Sequence, residues 1–134
     1  MKNPALPADD LSVRVPATPA ALAYVRRRMA AFLDAHEVDA ESSSDALVVA
    51  HELAANAVAH GSRAGDEVEV RAEIDAERLL IVVSDAARRA GAPFVLSPDE
   101  QRERGRGLSV VERLAEWSES IVGARREVRA ELRL

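Results

Sequence analysis

His51-Glu52-Leu53-Ala54-Ala55-Asn56-Ala57-Val58-Ala59-His60-Gly61 reads as the closing turns of a helix, with Gly61 as its stop signal. Glu52, Asn56 and His60 recur at i, i+4 and i+8 and so share one narrow stripe. A carboxylate one turn from a carboxamide suits magnesium-nucleotide chemistry. The amide oxygen is a hard, neutral metal ligand, and the carboxylate can orient or deprotonate an attacking group. A solvated polar face has the same spacing. Leu47, Ala50, Leu53, Ala54, Ala57 and Val58 form an apolar stripe roughly opposite. The helix, capped by Asp39 and covering about residues 40–60, is therefore expected to pack one face on a sheet while the other lines a cleft.

Upstream, residues 1–10 carry Pro4, Pro7 and an Asp pair and read as a flexible leader; residues 11–134 are expected to form a single domain. Leu11 to Val15 alternates as a short strand ended by Pro16. Thr18-Pro19 offers an N-cap followed by proline at the first helical position, opening a helix to about His36. Its apolar face is Leu22, Val25, Met29, Phe32 and Leu33.

Downstream, Glu67 to Asp75 alternates with period two, a half-buried strand. After a turn at Ala76-Glu77, Leu79-Leu80-Ile81-Val82-Val83 is a continuous apolar run, the pattern of a central strand. Residues 86–105 have no periodicity, and a loop of that length in a compact domain is usually functional, often a lid. A third helix is expected from Gly107 to about Trp117, then strands around Ser118–Val122 and Glu127–Leu134. The order β-α-α-β-β-loop-α-β-β predicts an α/β (α+β) two-layer sandwich, with a mixed, mainly antiparallel sheet and about three helices on one face.

Composition narrows the function classes. A net charge of -5 over 134 residues argues against non-specific nucleic-acid binding. Arginine is clustered at Arg102, Arg104 and Arg106, and at Arg125 and Arg126, where solvated faces are the simplest reading. The absence of cysteine excludes disulfides and thiolate metal sites. No apolar run approaches membrane-spanning length, so a cytoplasmic location is the default. Aromatics are only 3%, so the core must be mainly aliphatic. His51-Glu52 begins like a zincin motif, but the second histidine position is Ala55.

Three blocks line up: Glu52-x-x-x-Asn56 on a helix, Asp85 directly after the buried strand, and Gly105-Arg106-Gly107-Leu108 opening a helix. Their order resembles the GHKL (Bergerat-fold) ATPase superfamily, and within it the anti-sigma-factor serine/threonine kinase branch. The resemblance implies ATP and magnesium as cofactors. Asn56 would coordinate magnesium, Glu52 would act as general base or orient a partner's hydroxyl, and Asp85 would accept a hydrogen bond from the adenine amine. His60 would line the pocket. Gly105 and Gly107, with the amides beginning at Leu108, would bind phosphates, and Arg104 or Arg106 would add charge neutralisation. It further implies a histidine kinase-like domain that sequesters a sigma factor, phosphorylates a Ser/Thr of a STAS-type anti-sigma antagonist and forms a homodimer, with no direct nucleic-acid or membrane contact. The sequence departs from the family in Asp85-Ala86-Ala87-Arg88-Arg89-Ala90-Gly91. The glycine expected soon after the aspartate is absent or displaced to Gly91. That departure favours a second reading, a catalytically weak or inactive protein-binding module of the same fold.

Overall fold

The computed structural model describes residues 10–88 and 109–134. Five strands, β1 (Asp10–Pro16), β2 (Glu67–Ile74), β3 (Arg78–Asp85), β4 (Glu116–Val122) and β5 (Arg125–Arg133), form one sheet in the order β1-β2-β3-β5-β4. All four pairings are antiparallel. Helices α1 (Ala21–Ala35) and α2 (Ala40–His60) cover one face. This is the α+β sandwich expected, with β3 central as its apolar run predicted.

Alternation decides which side chains meet the helices. Leu11, Val13 and Val15 of β1, Val68, Val70 and Ala72 of β2, Leu79, Ile81 and Val83 of β3, and Val128, Ala130 and Leu132 of β5 are all buried. Against them α1 buries Val25, Met29, Phe32 and Leu33, and α2 buries Ala46, Val49, Ala50, Leu53, Ala54 and Ala57. The alanines of α2 let its backbone lie close to β3, and the core is aliphatic apart from Phe32. The other sheet face carries charges. Arg14 and Arg71 pair with Glu69, Arg71 also with Glu127, and Arg78 with Glu131. Val82 stays buried there because its register partners are Arg71 and Arg129, whose long apolar stems can cover it.

Local chemistry sets the element ends. The Asp39 carboxylate accepts from the Ser42 amide at 2.8 Å, the N-cap expected for α2. Helix α1 ends in a Schellman motif: the amides of Glu37 and Val38 donate to the carbonyls of Asp34 and Leu33. Glu37 takes the left-handed position there, with φ 56°. Asp75 closes the β2–β3 turn by accepting from the amides of Glu77 and Arg78 at 3.0 Å each.

Three boundaries differ from the sequence reading. Helix α1 starts at Ala21, with Ala20 as N-cap and no side-chain cap. Thr18 and Pro19 instead form the preceding turn, their carbonyls accepting from Ala21 and Leu22. The helical segment 109–114 is already over when Trp117 enters β4. Strand β5 begins two residues earlier than expected, at Arg125, which matters for the site.

Candidate functional site

The stripe on α2 is only partly a stripe. Glu52 and Asn56 are half-buried, whereas His60 is buried. A spacing of four residues overshoots one helical turn by about 40°, so two steps carry His60 round toward the core side beside Ala57. Neither Glu52 nor Asn56 has a hydrogen-bond or ion-pair partner among the described residues. His51 stands apart from them, its Nδ1 3.5 Å from an Arg26 guanidinium nitrogen.

Gly61 ends α2 as expected, but its role is closeness rather than backbone conformation. Its φ is −103°, open to any residue. A Cβ there would sit 2.0 Å from Asp85 Oδ2 and 2.6 Å from Oδ1. Only a glycine lets the helix end rest directly on the carboxylate at the end of β3. Asn56 lies five residues before it, about 7.5 Å along the axis. Gly61 and Asp85 therefore meet at one corner of the molecule, and Asn56 lies about one and a half turns back along α2.

Asp85 itself is 1% exposed and fully engaged. Arg126, its register partner on β5, donates to Oδ2 from Nε at 3.0 Å and from Nη2 at 2.6 Å. The Ala87 amide donates to Oδ1 at 2.8 Å. Arg126, also buried, reaches Glu119 Oε1 on β4 with its remaining terminal nitrogen at 3.1 Å. The expectation that Arg125 and Arg126 form a solvated face is thus wrong for Arg126. The signal was in the sequence: Arg126 has the parity of Val128, Ala130 and Leu132, the core-facing residues of β5. A strand begun at Glu127 hides it. Arg125, with the opposite parity, donates to Ser84 Oγ at 2.7 Å and to the carbonyls of Ser84 and Glu67.

After Asp85 the chain turns back under α2. Ala87 adopts φ 57°, a left-handed conformation that costs a non-glycine residue about 1–2 kcal/mol. The glycine missing from the sequence pattern is therefore missed locally as well. The Arg88 amide donates to the Gly61 carbonyl at 3.2 Å. The Arg88 side chain forks onto both oxygens of Asp66, and the Arg63 amide adds a bond at 2.7 Å. The Arg88 hydrogen bond first, then the Arg63 amide, hold the Asp66 carboxyl well below the usual range, and Arg88 is raised in turn. The expected phosphate-binding positions Gly91, Arg104, Gly105, Arg106, Gly107 and Leu108 lie outside the described residues.

Among the described residues, grooves of about 480, 270 and 300 Å³ lie at the sheet edge or on its charged face, and none is lined by Glu52, Asn56 or Asp85. Nor do three His, Asp or Glu side chains converge on a metal position among them, so the His51-Glu52 start finds no zincin-like ligand set there. A magnesium site of one amide oxygen, phosphates and water needs no such cluster. Asn56, a hard oxygen donor without a partner among the described residues, fits that demand.

Residues 15–132 match the family described as Histidine kinase-like ATPase domain. The chain belongs to that family. The resemblance to Bergerat-fold ATPases is thereby borne out, and an ATPase domain implies nucleotide binding. No curated protein matches the chain. Among solved structures, it is similar to a chain of the SiaB–SiaC complex from Pseudomonas aeruginosa. The TM-score there is 0.66 at 16% identity, covering 91% of this chain and 88% of that one. It is also similar to the EL346 blue-light activated histidine kinase of Erythrobacter litoralis, with a TM-score of 0.54 at 19% identity, covering 88% of this chain but 42% of that one. At such identities the likeness is one of fold. No helix among the described residues is long and apolar enough to cross a membrane.

Proposed function

We propose that this ATPase-family domain is an ATP-binding anti-sigma regulator of the partner-switching kind. It holds a sigma factor in one state and phosphorylates a Ser/Thr of a STAS-type antagonist to change partners. The observation that carries this reading is the pair Glu52 and Asn56. Both are half-buried and without a partner among the described residues, on the helix whose glycine end seats Asp85. The SiaB–SiaC neighbour, solved as a complex of two proteins, is compatible with a partner-binding role.

In the proposed reaction Asn56 would hold the metal through its amide oxygen. Glu52 accepts the proton of the partner's hydroxyl as that oxygen bonds to the γ-phosphorus and the bond to the β–γ bridging oxygen breaks, leaving ADP. Magnesium, when bound, neutralises phosphate charge and fixes the in-line geometry. The added phosphate carries close to two negative charges and weakens an interface that lacks arginines to receive it.

Two variants separate binding from chemistry. Asn56→Ala is expected to abolish the magnesium-dependent part of ATP affinity in calorimetry, together with transfer. Glu52→Gln should keep that affinity and lose roughly 10²–10⁴-fold in transfer rate. Transfer undiminished in either variant contradicts the assigned roles. A second reading, a binding module that has lost productive ATP use, is favoured by the engagement of Asp85 with Arg126. A folded wild type giving neither heat nor thermal shift with millimolar MgATP would select it.

A further inference from the structure

Arg126 stands where a base-reading carboxylate would need to be free. Oδ2 of Asp85 takes two Arg126 donors, Oδ1 takes the Ala87 amide, and Gly61 closes the remaining side. With Asp85 at 1% exposure, no external N–H can reach it. The guanidinium offers the carboxylate what an adenine amine offers, N–H donors in a plane, but with a full charge and from within the chain. The third contact, Arg126 Nη1 to Glu119 Oε1, ties the arrangement to β4. Glu119 lies on the helix-side face of that edge strand, opposite Val128 in register.

We infer that Arg126 is an internal latch, a built-in competitor for the nucleotide base that must leave Asp85 before ATP can be read there. The inference rests on the nucleotide reading of Asp85 given above. It makes ATP affinity conditional on the Glu119–Arg126–Asp85 chain of contacts. Loosening either contact of Arg126 favours the nucleotide. Because Glu119 belongs to an edge strand, the latch is reachable from outside by whatever perturbs β4.

The test is a calorimetric titration of MgATP into wild type, Arg126→Met and Glu119→Gln, with the Arg126 Nε–H followed by NMR in the wild type. Methionine keeps the apolar stem without a donor. Glu119→Gln leaves Asp85 paired and takes the negative charge out of the outer anchor, so it decides the matter if Arg126→Met does not fold. The latch predicts tenfold or greater tightening in Arg126→Met, a smaller tightening in Glu119→Gln, and loss of the protected Nε–H signal as ATP is added. Unchanged or weaker affinity in the folded variants, with wild-type binding intact, overturns the latch and leaves the nucleotide reading standing. Absence of binding in all three proteins overturns both.

Discussion

At the scale of single residues, the corner around Asp85 combines one fixed requirement with one unmet one. Gly61 is fixed. Gly61→Ala forces a methyl carbon into the Asp85 carboxylate, so the helix end or the strand end must shift. Displacing the buried Asp85–Arg126 pair puts the cost at roughly 2–4 kcal/mol. Urea unfolding of that variant should show a clearly lowered midpoint, and an unchanged midpoint would mean that the close approach does not exist. Ala87 is the unmet case. Glycine there removes the left-handed penalty but adds freedom to the unfolded chain. Ala87→Gly is therefore expected to raise stability by up to about 1 kcal/mol, where most Ala→Gly changes lower it. A thermal melt reads the sign directly.

Elements were largely legible because their patterns were strong. The Asp39 cap, the alternation of β2 and the apolar run of β3 each had a single physical reading, and the structure follows them. Boundaries failed where two signals competed. Thr18-Pro19 looked like a helix start, yet those residues form a turn that feeds the helix. Trp117 looked like a helix end, yet Glu116 already pairs with Glu131 across β4 and β5. Of the candidate site, the placing of Glu52 and Asn56 on one helix and the Gly61 terminus were legible from spacing. Arg126 was not, because an arginine beside another arginine reads as solvated surface until the strand's parity is fixed. The link between α2 and the end of β3 is also an element-scale feature, and it is acid-sensitive. Asp66 titrates below its ordinary 3.8 when folded. Its contribution is thus complete above that value and is lost as pH falls through the depressed one. Asp66→Asn should be less stable than wild type near neutrality and flatten the loss of stability below about pH 4. Acid titrations followed by circular dichroism check this, and identical acid limbs would speak against the Arg63–Asp66–Arg88 clasp.

The whole molecule is a sheet with one greasy side and one charged side, and the two contribute unequally. Ion pairs such as Arg71–Glu127 are partly exposed, and pairs of that kind are worth about 0–1 kcal/mol each. Arg71→Met, which keeps the apolar stem over Val82 and removes the charge, should accordingly stay within about 1 kcal/mol of wild type, with the difference shrinking in high salt. Ile81→Ala, in the middle of the buried face, should cost about 2–5 kcal/mol. Denaturant curves of the two variants compare these directly, and reversed magnitudes would mean that the charged face carries the fold. The same central position of β3 has a temporal side. On a ribosome its apolar strand emerges ahead of the partner that flanks it, since Arg126 follows Asp85 by 41 residues. At about 5–20 residues per second, that leaves one edge of β3 bare for roughly 2–8 s. During that interval the nascent chain presents an open, aliphatic strand edge, and chaperone capture or aggregation in the cell should concentrate there.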